Sequence, residues 1–347
     1  MSRWTGFTLA VGPAAGSDPL QEVAEFSSGG VTASIDAGVD ISFEVRSGSP
    51  EAQVISELDT DVWVYRLGVP FARGRVVAVV QTWTEDGGDS VSVTAVDYKR
   101  LLNARHVQTD LVYTGTPQER IVQSVIEHTQ SQTGGDLGIV EGNIVESQDR
   151  DRTYARGENI GQLLDNLTKV IDGPWFGVDA DLRLNAFPFS SFPTMTTPIT
   201  LGATARSLTR QSGAAMFANS VYVDGDNSAT VGVSVDAAGL ASDPRGRWEK
   251  AAGFPNVVEQ ATLVEKADGL LESSASPVAQ WSIVMEPERW LSDAGFNVGD
   301  HGSLVVPAST VAPIGAAATV KDVQVYGLSV SITADGEVGV SMEAVEV

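Results

Sequence analysis

The chain has 347 residues, 42% of them hydrophobic and none of them cysteine. This excludes global disorder, disulfide frameworks, thiolate metal sites and cysteine nucleophiles. Lys and Arg number 22 against 45 Asp and Glu, a net charge of −23 that disfavours stable binding to nucleic acid or to anionic membranes, because both depend on cations displacing counterions.

No apolar run approaches the roughly 18 residues needed to cross a bilayer. Met1 to Leu20 carries a single Arg3 and an apolar patch broken by Gly12, Pro13 and Gly16. That is a poor signal peptide, so synthesis and folding in a cytoplasm are expected. The first hundred residues read as β structure. Ile35, Val39, Ile41, Phe43 and Val45 recur at period two, with Asp40, Ser42, Glu44 and Arg46 between them, the pattern of a strand with one buried and one wet face. Val62-Trp63-Val64-Tyr65 is β-branched and aromatic. Arg75 to Thr84 and Ser90 to Lys99 form a predicted hairpin about the Gly-containing turn Glu85 to Asp89. Short strands with Gly-rich turns indicate a small barrel or sandwich.

The middle third changes period. Thr116-Pro117-Gln118-Glu119 has the form of a capping box with Pro at the first helical position. Ile121, Val122, Val125 and Ile126 then make a helical stripe that ends near Gly134-Gly135. A second helix carries Ile160, Leu163, Leu164, Leu167, Val170 and Ile171 and is stopped by Asp172-Gly173-Pro174. Trp175 to Asp179 and Leu182 to Phe187, about an Ala180-Asp181 turn, offer a hairpin for those stripes to pack on, giving a compact α+β unit. Phe189 to Pro198, rich in Ser, Thr and Pro, reads as a connector. Strands resume at Ser220 to Val223 and Thr230 to Val235. A helix is expected from Asn256, with Glu259 at its capping-box position and Val257, Ala261, Val264 and Leu271 on its buried side. Trp281 to Met285 and Gly302 to Val306 are further strands. Leu328, Val330 and Ile332, an Asp335-Gly336 turn, then Val338, Val340 and Met342 close the chain with its plainest hairpin.

The search for chemistry returns mostly negatives. The sequence holds no phosphate loop, HExxH, GxSxG or dinucleotide fingerprint. Its three histidines, His106, His128 and His301, show no ligand spacing and read as surface or satisfied core residues. Asp224, Asp226 and Ser228 imitate the start of a calcium loop, but Ala229 and Val235 stand where the obligatory Gly and Glu belong; a polar turn between strands is the better reading. Asn166-Leu167-Thr168 fits a glycosylation acceptor but falls inside a predicted helix. Glu286 and Glu288 beside Trp290 are the least implausible carboxylate pair for glycoside hydrolysis, against the plainer reading of a solvated loop around Pro287. The seven tryptophans (Trp4, Trp63, Trp83, Trp175, Trp248, Trp281 and Trp290) are scattered and look like core and interface anchors. No catalytic, cofactor-binding or metal-ligating residue is assigned. A β-rich, acidic, multi-unit chain of this kind suits an assembly component.

The segment Ser92-Val93-Thr94-Ala95-Val96-Asp97-Tyr98-Lys99-Arg100-Leu101-Leu102-Asn103-Ala104-Arg105 resembles minor tail proteins of long-tailed bacteriophages, particularly those of actinobacteria. Gln118 to Ile139, ending in Thr133-Gly134-Gly135-Asp136-Leu137-Gly138-Ile139, and Gly157 to Phe187 continue the likeness, with weaker echoes in Phe296-Asn297-Val298-Gly299-Asp300 and the last hairpin. Those proteins belong with the baseplate or tail-tip hub family. The resemblance implies a β-rich α+β fold of two small β-barrel-like domains with an α+β domain between them: a hub domain over 1–104, the α+β domain over 105–205, and a second hub domain with one inserted helix over 206–347. It implies a homotrimeric ring whose two barrels per chain give a pseudo-sixfold face. The implied partners are the distal tail protein ring, the tape measure protein and downstream tip or receptor-binding proteins. DNA would be met only in transit, and no membrane insertion is implied. The implied location is the virion, at the phage tail tip, after assembly in the host cytoplasm. The family offers no catalytic residues to transfer. The chain stops at Val347 directly after a hairpin, so any wall-degrading activity is expected from another polypeptide. The acidic balance then reads either as carboxylates lining a DNA channel or as an aid to solubility. Two readings from other classes compete: a tail-associated cell-wall hydrolase, marked by a cleft with convergent carboxylates or a histidine constellation, and a sugar-binding adhesin, marked by exposed tryptophans lining one surface.

Overall fold

A computed structural model of the chain describes residues 6–16, 18–24, 26–85, 88–170, 172–212, 217–225, 232–254, 257, 259–274, 279–292, 296–307, 318–333 and 337–347. The period-two segments fold as strands. From the N-terminus these are β1 (Phe7–Pro13), β2 (Gln21–Glu22), β3 (Ser28–Ser34) and β4 (Gly38–Arg46), then the short helix α1 (Pro50–Val54), then β5 (Thr60–Arg66), β6 (Val69–Thr82) and β7 (Ser90–Val96). Helix α2 (Tyr98–Leu101) leads into β8 (Leu111–Pro117), α3 (Gln118–Gln130), β9 (Val140–Ile144), β10 (Asp149–Tyr154), α4 (Ile160–Thr168), β11 (Pro174–Val178) and β12 (Arg183–Pro188). The remainder comprises β13 (Ile199–Thr200), β14 (Ala205–Ser212), β15 (Ser220–Asp224), β16 (Val233–Asp236), β17 (Glu249–Gly253), α5 (Gln260–Ser274), β18 (Ala279–Met285), α6 (Pro287–Ser292), β19 (His301–Val306), β20 (Thr319–Ile332) and β21 (Val338–Glu346). The predicted turns at Asp86-Gly87 and Asp335-Gly336 lie outside the described residues, as do Ile171 and Asn256.

Thirteen strands make one sheet in the order β14-β18-β21-β20-β3-β4-β7-β6-β5-β1-β2, with β19 also on β20 and β13 on β19. Strands from 1–104 and from 206–347 meet where β3 pairs with β20, Val31 opposite Val330. Val330, Val31, Ile41, Ala95 and Val76 follow one another in register across five strands, and all are buried in one core. Each of the Val and Ile side chains removed from water contributes roughly 1.5–3 kcal/mol. The row spans the line between the two expected hub domains, so the two ends of the chain are sewn into a single hydrogen-bonded layer. The helix expected within 206–347 arrives with a sheet of its own: α5 packs Leu263 and Ala267 on β16-β15-β17, a small separate core.

The α+β unit matches its sequence pattern. Ile121, Val122, Val125 and Ile126 of α3 and Ile160, Leu163, Leu164 and Leu167 of α4 are buried against β11 and β12. Its details depart from expectation in three places. The capping box does not form: Pro117 is the N-cap and carries no side-chain cap bond. The chain enters α3 straight from β8, where Pro117 still faces Asp149. Thr116 Oγ1 turns to the Thr114 carbonyl, and the buried Glu119 carboxylate accepts from the backbone N–H and the hydroxyl of Ser147. Helix α4 ends at Thr168 rather than Ile171, because Gly173 donates to Val170 O in a tight turn followed by β11. In α5, Ala261 and Val264 are exposed, and Leu263, Ala267, Leu270 and Leu271 face the core. The helix starts at Gln260, and its docking on β15 to β17 sets a different phase from the one the apolar spacing proposes.

The connector after β12 is not a loose tether. Phe192 is buried against Trp175 and Phe187, with ring centroids 5.0 Å apart in both pairs. The Trp175 indole donates to Ile35 O at 3.3 Å, tying the α+β unit to the large sheet.

A second tie is Asp97, the N-cap of α2. Its carboxylate accepts from Arg100 N and from Val39 N at the start of β4. Gly38 makes room for it: its φ is +79°, and a Cβ there would land on that carboxylate. Gly38→Ala is expected to cost about 2 kcal/mol through backbone strain and the lost cap, read by urea denaturation; a cost below about 0.5 kcal/mol would contradict this packing. Burial raises the Asp97 carboxyl to about 6. The folded value lies above the ordinary one, so the fold holds this proton more tightly than the unfolded chain does. The associated stability is complete below about pH 4 and is lost as the pH rises through 6. Asp97→Asn removes that titration, and the unfolding free energy should change less steeply between pH 4 and 7 than in the wild type. Equal slopes would refute the assignment.

Candidate functional site: exposed edges and charged faces

The residues that could have formed a catalytic centre are dispersed. Glu286 is held by Arg206 in a two-bond ion pair at 2.8 and 2.6 Å, and that guanidinium keeps its carboxyl below the usual range. Glu288 is exposed on α6, a helix that begins at Pro287 where a solvated loop was expected. Trp290 is turned inward. Its ring stacks on Phe7 at 5.9 Å, meets Phe71 edge-on at 6.0 Å and donates from Nε1 to Phe296 O. The trio therefore forms no carbohydrate cleft.

The histidines do not converge on one centre. His106 is exposed, beside Asn159. His128 Nε2 accepts from Gln108 N on the surface of α3. His301 Nε2 lies 3.4 Å from Phe189 O. Among the described residues no group of three His, Asp or Glu side chains could hold a metal ion, and no helix is long and apolar enough to cross a membrane. Asp224 ends β15 and accepts from the Tyr222 hydroxyl, and Val235 pairs with Val221. Asp226, Ser228 and Ala229 lie outside the described residues, as does Trp4. Asn166 is exposed on α4, within the helix. Trp63, Trp281 and Trp290 are core residues and Trp175 is half-buried, while Trp83 just after β6 and Trp248 just before β17 are exposed.

What the surface offers instead is edges and charge. Among the described residues strands β14 and β2 end the order of the large sheet, the positions at which a sheet can add a further strand. At the far end of β6 and just beyond it, Val80 is 57% and Trp83 70% exposed. Val80 faces Ser92, which faces Glu44, so an apolar and an acidic side chain share one face there. A contrasting cationic cleft lies between the α+β unit and α5, lined by Arg152, Lys169, Val170, Thr262, Glu265, Lys266 and Gly269. No sequence pattern singled out this cleft; the one readable sign was the alternation Asp149-Arg150-Asp151-Arg152 in a strand, which puts both arginines on one face.

No family model matches the chain, and no curated protein matches it. Solved structures do. A 43 kDa tail protein of prophage MuSo2 from Shewanella oneidensis superposes with a TM-score of 0.68 at 14% identity, over 98% of both chains. A tail protein from Neisseria meningitidis MC58 gives 0.66 at 12% identity, over 98% of this chain and 97% of that one. The chain has the fold of phage tail proteins. The E. coli c3393 protein shares it more distantly, with a TM-score of 0.52 at 13% identity over 93% of this chain and 74% of that one. It is a type VI secretion component described as similar to the T4 tail proteins gp27 and gp5. The tail-protein fold covers the large sheet, the α+β unit and the α5 insertion together.

Proposed function

We propose that this chain is a structural hub of the tail tip: a homotrimeric ring at the distal end of a phage tail tube. The ring joins the tube and the distal tail protein to downstream tip or receptor-binding proteins and forms part of the DNA ejection channel. The carrying observation is the tail-protein fold over 98% of the chain. The likeness to c3393, itself described as similar to gp27 and gp5, supports the hub within that class.

The sheet offers a way to build the ring. Within the large sheet, the strands before β8 and those after β12 form two halves joined at β3 and β20, and each half acts as one hub domain. Three chains then present six similar faces to the sixfold ring above, with the tape measure protein and later the DNA passing through the centre. An acidic lumen would keep phosphates solvated and moving.

Light scattering and negative-stain imaging of the purified chain, with and without the distal tail protein, test the reading. Threefold rings, and labelling of the tail tip on virions by antibody, are expected. A monomer that is absent from the virion tip, or one that clears host cell walls in a zymogram, would overturn it.

A further inference from the structure

In a chain with twice as many acidic as basic side chains, three cations line one cleft and a fourth, Arg150, stands near them. Arg150 and Arg152 stand two apart on β10 and share a face. Lys169 follows α4, and Lys266 projects from α5 with its ammonium 5.0 Å from the Phe254 ring centroid. Burial, then Arg152 and Arg150, lowers Lys266 to about 8. Glu265 is the acid at the cleft, and Asp149 and Asp151 alternate onto the other face of β10. Among the described residues Arg152, Lys169 and Lys266 line this cleft together with a single acid, Glu265. Like charges held together in a half-buried cleft repel one another, and a carboxylate from outside would relieve that repulsion.

The surface complementary to this cleft is on the same chain. Beyond the end of β6, Trp83 is the most exposed tryptophan among the described residues, Glu85 follows it in the open, and Val80 and Glu44 share the adjoining sheet face. This tip stands at the end of β7 remote from Val96, where Asp97 and Tyr98 lead into the α+β unit. The cleft is built by that unit and α5. The tip belongs to the large sheet and the cleft to the α+β unit and α5, two different patches of one chain. A contact between two different patches of identical chains is the heterologous kind that closes a ring.

We propose that the Arg150–Arg152–Lys169–Lys266 cleft receives the Trp83–Glu85 hairpin tip of a second copy of this chain. The tryptophan packs against Phe254 and the lysine stem, and the acids of the tip pair with the cations. This deepens the ring reading and rests on it.

The test measures self-association of the full chain by mass photometry at several salt concentrations, with circular dichroism as the folding check. Arg152→Glu combined with Lys266→Glu should weaken assembly about tenfold or more, since two contact charges are reversed. Trp83→Ala should weaken it comparably, added salt should weaken the wild type, and Glu85→Lys should partly restore assembly to the Lys266→Glu chain. A photo-crosslinking residue at position 83 should join α5 or β10 of another copy. Rings that form with unchanged affinity in the double variant, or crosslinks that map elsewhere, overturn the docking and leave the ring reading intact. A wild-type chain that never self-associates, alone or with the distal tail protein, overturns both.

Discussion

Asp61→Ala should destabilise the protein by roughly 3–5 kcal/mol, the cost of leaving buried cations without their counter-charge. Asp61 is fully buried on β5. Its Oδ2 accepts from Arg73 Nε at 3.0 Å and Nη2 at 2.6 Å, from the Tyr98 hydroxyl at 2.5 Å and from Ala15 N at 3.0 Å, and its Oδ1 accepts from Arg75 Nε at 2.6 Å. Arg73 also lies 4.2 Å from the Trp63 ring centroid and donates to Gly16 O. The carboxylate is thus the common acceptor for two arginines of β6, the loop after β1 and the first residue of α2. Tyr98 belongs to the core of the α+β unit, so this one side chain couples that unit to the large sheet. Tyr98→Phe loses a single hydroxyl and should cost only about 1–2 kcal/mol. Urea denaturation of the two variants checks the ordering. An Asp61→Ala cost no greater than that of Tyr98→Phe would show that the guanidiniums are served by water and that the joint lies elsewhere.

Trp290→Ala should cost a similar 3–5 kcal/mol, by cavity formation rather than by charge. The indole of α6 is stacked on Phe7, edge-on to Phe71, and capped by the Arg66 guanidinium at 4.8 Å. Trp290→Phe retains most of the packing and should recover more than half of the loss. Thermal unfolding of both variants would settle the matter, and an alanine variant as stable as the phenylalanine one would contradict the inward placement. The same measurement separates the two readings of Glu286, Glu288 and Trp290. A sugar platform could be truncated at little cost to the fold, whereas a core wedge could not.

These two positions also show how far the sequence could be read. The stripes of α3 and α4 were legible because local period alone determines which face is buried, and Ile121 and Leu164 sit where the spacing puts them. The joint at Asp61 was not singled out, although one acid inside the apolar run Thr60 to Val64, and two arginines two apart at 73 and 75, were its visible signs. Among 45 acids such a sign becomes decisive only when the partner strand is known. The phase of α5 failed for a related reason: Ala261 and Val264 make a plausible stripe, but docking on β15 to β17 chose Leu263 and Ala267. The capping box failed because Glu119 found donors at Ser147, 28 residues away. The cationic cleft combines β10, α4 and α5, three elements distant in the chain, and only the alternation in β10 could be seen beforehand.

The pairing of β3 with β20 joins residues nearly 300 positions apart. While the chain is being synthesised, β3 emerges early and its outer edge has no neighbour until the final hairpin leaves the ribosome. Contacts of such long range form late and slowly. A nascent chain therefore spends most of its translation with an open strand that could recruit the wrong partner. Completion of the sheet therefore waits for the whole chain: a fragment released early lacks the strand that closes the layer.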